Sequence, residues 1–134
     1  MSGIFILGET DQAGMHRSTS ELIAAGRSIS YDKDQPVSVV FLGGDLDQAA
    51  SDAFSYGADT VYAISDPLLS QSSVDAGVAA LHQVCLRFQP DLIMLGRTPI
   101  GRDIAPRLAF RLEGALAQDC TSLELSPETK RIVA

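Results

Sequence analysis

Leu92-Ile-Met-Leu-Gly-Arg-Thr-Pro-Ile-Gly-Arg-Asp103 is the stretch on which the fold turns. The apolar run 92–95 has no polar side, the pattern of a strand in a parallel sheet covered by helices on both faces. A glycine-bounded loop, 96–101, follows, and beyond it Ile104, Leu108 and Leu112 recur at helical spacing. Asp103 is placed to cap that helix, which would put Pro106 in the first turn, where a missing N–H costs little. Gly101 is expected just ahead of it, in a backbone conformation that other residues resist. Gly114 is expected to end the helix.

The same rhythm extends back to the N-terminus. Residues 4–7 form a β-rich apolar run, followed by a polar loop over 8–17. Ser18 and Glu21 have the spacing of a capping box, and Leu22, Ala25, Gly26 and Ile29 then repeat at helical intervals. A second strand, 37–42, stops at Gly43-Gly44, with Asp45 as a cap for a helix over 46–56. Residues 60–64 read as a third strand. Val74, Val78, Leu81, Cys85 and Phe88 mark one face of a long helix that ends at Pro90.

Strand–helix alternation of this kind gives an α/β three-layer sandwich with a mainly parallel sheet, a Rossmann-like fold of the nucleotide-binding type. Past the fourth helix the period changes. Residues 121–125 alternate, 126–129 read as a turn and 130–134 begin another strand, so the chain is expected to end in a β-hairpin. Because it stops inside that element, residues 1–134 are expected to be one domain of a longer protein.

Composition narrows the function. A chain of 134 residues with 46% hydrophobic and 20% charged residues is globular and fits one domain. No apolar run approaches the roughly 20 residues of a membrane span, and the opening residues lack the basic start of a secretory signal. A cytoplasmic protein is expected. The net charge of −7 argues against general nucleic-acid binding, which needs a basic face. Cys85 and Cys120 stand in no CxxC or His/Cys cluster, so both are expected to be buried, reduced thiols.

In an open parallel sheet, ligands bind beyond the strand C-termini where strand order reverses. With the fourth strand returning beside the first, that crevice would lie between the 8–17 and 96–103 loops. Gly96 and Gly101 allow close backbone approach, Thr98 supplies a hydroxyl, Arg102 a guanidinium and Asp103 a cap beside a helix N-terminus. The set suits an anion such as a phosphate, although Glu9 and Asp11 on the opposite loop would repel one. Residues 97–111 carry four arginines (Arg97, Arg102, Arg107, Arg111) against one acid, Asp103. Arg107 and Arg111, four apart, share a helix face and read as an interface strip. No GxGxxG or GxxxxGK[ST] occurs, His16 and His82 are isolated, and Ser18, Ser20 and Ser122 lack a recognisable base, so no catalytic set is visible.

Three blocks resemble one family: Gly57-Ala-Asp-Thr-Val-Tyr62, the run from Pro90 to Ala109 with its Gly-Arg-Asp-Ile-Ala-Pro-Arg-Leu-Ala core, and Asp119-Cys-Thr121. Their order and spacing are similar to the N-terminal domain of the electron-transfer flavoprotein alpha subunit, over essentially the whole chain. The resemblance implies an electron-transfer component, not an enzyme in itself, pairing with a beta subunit that links it to dehydrogenase donors. It also implies that FAD sits in a C-terminal domain whose motifs are absent here, with none bound to residues 1–134. On this likeness Gly96, Thr98, Gly101, Arg102 and Asp103 match the family's crevice loop. The alternative is a stand-alone nucleotide-binding regulatory module of the universal-stress-protein type; it would want a late GxxGxxxxxxGS loop, which the region after Gly101 does not supply.

Overall fold

In a computed structural model of the chain, residues 3–30, 35–66, 69, 73–118, 120, 124–125 and 132–133 are described. The elements run β1 (Ile4–Leu7), β2 (Thr10–Asp11), β3 (Gly14–Met15), α1 (Arg17–Ile29), β4 (Val37–Gly43), α2 (Asp47–Ser55), β5 (Thr60–Ser65), α3 (Val74–Phe88), β6 (Leu92–Met94), α4 (Pro99–Leu112), β7 (Glu124–Leu125) and β8 (Ile132–Val133). The main sheet has the order β5-β4-β1-β6, every pair parallel. The first three long strands thus run outward in sequence, and β6 returns beside β1 as expected.

Side-chain alternation sorts the core into two layers. Ile4 and Ile6 of β1 join Val37, Val39 and Phe41 of β4 under Ile23 and Ile29 of α1 and Ala49 and Ala53 of α2. Phe5, Leu7 and Val40 face the other way, against Val78, Leu81 and Val84 of α3 and Ile104 and Leu108 of α4. Phe5, Tyr62 and Phe88 pack ring against ring in the second layer, with centroids 4.7–5.9 Å apart. The three-layer α/β reading therefore holds. β7 and β8 form an antiparallel pair through Glu124↔Val133 and Leu125↔Ile132, while the turn expected between them lies outside the described residues.

Helix starts depart from the sequence reading. His16, not Ser18, caps α1: its Nδ1 accepts from the Ser18 N–H at 3.1 Å. Glu21 is drawn instead to Arg17, 3.2 Å away on the exposed face. α2 is capped by Leu46 without a side-chain bond, and Asp45 accepts from the Asp47 N–H at 3.3 Å, one residue early. α4 begins at Pro99, because Thr98 has extended backbone and its Oγ1 accepts from the Gly101 N–H at 3.0 Å. Asp103 is thus within the helix, and Pro106 lies in its interior. There it deprives the Arg102 carbonyl of its intrahelical partner on an exposed face that water reaches.

Two further expectations change. Glu113, with φ of 54°, takes the left-handed position that ends α4, and Gly114 follows it, donating to the Ala109 carbonyl at 3.0 Å. The loop over 8–17 contains the small β2–β3 hairpin, held by the Met15 N–H on Asp52 Oδ2 at 3.1 Å.

Candidate functional site

The crevice lies where the order reverses, between the C-terminal ends of β1 and β6. Hydrogen bonds with three residues fix Glu9 there, just past β1. Its N–H donates to Thr19 Oγ1 at 2.9 Å, its carbonyl accepts from the His16 N–H at 2.8 Å, and its Oε2 accepts from Thr98 Oγ1 at 2.7 Å. Thr19 is fully buried on α1, and Thr98 is the cap of α4. One residue therefore joins the first strand to two helices. Its carboxylate lies beside the α4 N-terminus, where the helix dipole favours negative charge.

The two glycines of the loop are explained by close approach. A Cβ on Gly96 would lie 3.2 Å from Glu9 Oε2 and 3.4 Å from Ser18 Oγ. A Cβ on Gly101 would overlap the Gly96 carbonyl oxygen. Gly101 is not among the residues with positive φ, so the expected backbone conformation gives way to a steric requirement within the first turn of α4.

Of the site residues read from the sequence, Gly96, Thr98 and Gly101 come together with Glu9. Arg102 and Asp103 lie next to them in the chain but are exposed on α4. Arg107 pairs with Asp75 of α3 at 2.7 Å, both side chains open to solvent. Arg111 lies one turn further, beside a groove of about 370 Å³ that Asp75, Val78, Pro106, Arg107 and Phe110 also line.

Beside the crevice a cavity of about 140 Å³ is lined by residues such as Leu7, Glu9, Leu42, Ser73, Ile100 and Ile104. Among the described residues no three His, Cys, Asp or Glu side chains group as a metal site. Ser18 does have a nearby base, since its Oγ lies 2.8 Å from His16 Nδ1. That nitrogen also accepts the Ser18 N–H, so the pair serves the start of α1. Cys85 is buried, which pushes its thiol up to about 11, whereas Cys120 is exposed, contrary to expectation, because it lies beyond α4 and outside any helix or strand.

Sequence reading missed a second constellation at the opposite end of the sheet. Asp59 Oδ2 accepts from the Val37 N–H at 2.8 Å and Oδ1 from Arg27 Nη2 at 2.7 Å, while Arg27 Nε donates to the Gly57 carbonyl at 2.9 Å. Burial tends to raise the Asp59 pKa, but the Val37 N–H and Arg27 outweigh it and hold the carboxyl below its usual value. The signal was the Gly57-Ala-Asp59 run, with Gly57 at φ of 108°. Its partners, however, lie in other elements.

Fold and site together define a Rossmann-like α/β domain whose nucleotide-type crevice is spanned by its own side chains. The sequence matches the electron transfer flavoprotein domain over residues 4–134, and the chain belongs to that family. It is 33% identical over 122 residues to an electron transfer flavoprotein subunit alpha of Thermoanaerobacterium thermosaccharolyticum, covering 91% of this chain and 37% of that protein. It is 34% identical over 128 residues to protein FixB of Azorhizobium caulinodans, covering 93% and 35%. It is also 29% identical over 127 residues to the LctC subunit of an Acetobacterium woodii lactate dehydrogenase (NAD(+),ferredoxin), covering 95% and 30%. The chain thus spans about a third of the length of these relatives. The universal-stress-type alternative finds no support in these comparisons. No helix among the described residues is long and apolar enough to cross a membrane.

Proposed function

We propose that residues 1–134 are the N-terminal, non-FAD domain of an electron-transfer flavoprotein alpha-type subunit. In this reading it is a scaffold for a heterodimer with a beta subunit, and the heterodimer carries electrons from dehydrogenases to an acceptor. The observation that carries the reading is the family match across residues 4–134 in a chain about a third as long as its relatives. FAD belongs to the complete protein, outside these residues, and the domain performs no catalytic step of its own. Some relatives are named as parts of enzyme complexes, among them an acryloyl-CoA reductase and a lactate dehydrogenase. A cytoplasmic setting suits its two free thiols.

Arg107 and Arg111 are assigned to the subunit interface. The loop of Gly96, Thr98, Gly101, Arg102 and Asp103 is assigned to holding α4 on the crevice, since a phosphate there would meet the Glu9 carboxylate. The test is co-production of residues 1–134 with the beta subunit, followed by gel filtration and an absorption spectrum. A colourless one-to-one complex from the wild type is expected, and a weakened one from the Arg107→Ala, Arg111→Ala double variant with an unchanged urea midpoint. Absence of a complex, or near-stoichiometric flavin bands on the isolated chain, would overturn the reading. A melting-temperature rise with millimolar AMP that Arg102→Ala abolishes would restore the crevice loop as a nucleotide site.

A further inference from the structure

α4 turns Gly101, Ile104 and Leu108 inward. Beyond Ile100 its exposed residues fall in two adjacent rows, Arg102, Pro106 and Phe110 in one and Asp103, Arg107 and Arg111 in the other. Phe110 is 86% exposed, more than any other large hydrophobic side chain among the described residues. It stands at the rim of the α3–α4 groove, next to the Pro106 ring and between Arg107 and Arg111. A phenyl ring held this far into water contributes nothing to the core beneath it, and an aromatic flanked by arginines has the composition of an interface anchor.

We infer that Phe110 anchors this domain to the beta-type subunit, entering an apolar socket whose rim carries carboxylates. The inference rests on the heterodimer reading above and adds the anchoring residue and the chemistry of the partner. Charge sets the chemistry of that occupant. Residues 97–111 carry four arginines and one acid in a chain of net charge −7. Among the described residues, Arg102 and Arg111 form no ion pair, and Arg107 is engaged only by the exposed Asp75. A two-fold contact with a second copy would set this patch against itself, arginine row on arginine row. An acidic rim instead attracts the patch from a distance and orients it, while the ring supplies the desolvated centre.

The experiment measures beta-subunit affinity for the wild type and for Phe110→Ala, Phe110→Leu, Arg111→Glu and Tyr56→Ala. Tyr56 is a control, an exposed aromatic that follows α2 on the other face of the sheet. Phe110→Ala is expected to weaken binding by about 30-fold, the scale of an interface hot spot, and Phe110→Leu to recover much of it. Arg111→Glu is expected to slow association, most at low salt, and Tyr56→Ala to stay within about twofold. Urea midpoints should not move, because Phe110 is not part of the core. Hydroxyl-radical footprinting should show Phe110 reactive in the free chain and protected in the complex. Normal affinity for Phe110→Ala, or a ring still reactive in the complex, overturns the inference and leaves the heterodimer reading standing. Failure of the wild type to bind overturns both. Protection that grows with concentration of the chain alone would assign the ring to a second copy. Protection in a chain extended to its relatives' length, before the beta subunit is added, would assign it to the rest of that chain.

Discussion

At the scale of single residues, glycine and threonine do more here than the charged groups. Gly101 sits at the third position of α4, where alanine would ordinarily favour a helix by up to about 1 kcal/mol. Here a Cβ meets the Gly96 carbonyl oxygen, a backbone atom that cannot swing aside. Gly101→Ala is therefore expected to destabilise the chain by roughly 1–3 kcal/mol, the usual range for overpacking, and Gly101→Val by more. Urea titration followed by circular dichroism measures it, and an unchanged or raised midpoint for Gly101→Ala would show that the loop yields freely. The sequence made the glycine conspicuous but suggested the wrong cause. A positive φ and a tight approach leave the same letter, and only the fold brings the Gly96 carbonyl over Gly101. Thr98 is similar: the sequence offered its hydroxyl for an anion, whereas in the fold that hydroxyl caps α4 and donates to Glu9, 89 positions away.

At the scale of elements, what could be read and what could not divides by range. β4, β5 and the Val74–Phe88 helix stand where apolar periodicity puts them, since burial of a whole face outweighs any single end residue. Helix starts were less legible because several residues near each one can accept an N–H. His16 competed with Ser18, and Thr98 ahead of Pro99 competed with Asp103, and each cap that forms is also held from outside its helix by Glu9. The β2–β3 hairpin was invisible for the same reason, being fixed by Asp52 from α2. The Asp59 clamp yields a pH prediction at this scale, because it joins α1 to the starts of β4 and β5. Its carboxyl is held below the usual value, so its contribution is present above the unfolded carboxylate pKa and disappears as pH falls through the folded one, below about pH 4. The Arg27 and Asp59 side chains are 42% and 38% exposed, so solvent screening limits the ion pair to at most about 1 kcal/mol, with a similar amount from the Val37 N–H. Asp59→Asn should lower stability by about 1–2 kcal/mol at pH 7. The gap between the urea midpoints of wild type and variant should narrow steadily as pH falls below about 4, and a deficit that stays constant with pH would show that the clamp acts through shape alone.

At the scale of the whole molecule, the two cysteines report on how far the domain opens as a unit. Cys85 lies on the buried side of α3, its thiol pushed up to about 11 by burial alone. At pH 8 such a thiol is only about one part in a thousand thiolate, and the thiolate is the reactive form. Its sulfur is reached only when α3 lifts from the layer containing Leu81 and Val84, which also carries Ile104 and Leu108 of α4. Loss of that layer exposes one face of the sheet, so the opening that frees Cys85 should be close to global unfolding. Cys120, exposed beyond α4, needs no opening at all. A disulfide reagent at pH 8 should accordingly titrate one thiol within the mixing time. The second should react at a rate that rises with urea in step with the loss of helical signal. A Cys120→Ser variant should lose the fast phase and keep the slow one, which fixes the assignment. If both thiols react fast in the absence of urea, α3 is not packed as described, and the two-layer core would have to be redrawn. If the slow phase is independent of urea, Cys85 is freed by a local fraying of α3, and the second layer is less cooperative than its packing suggests.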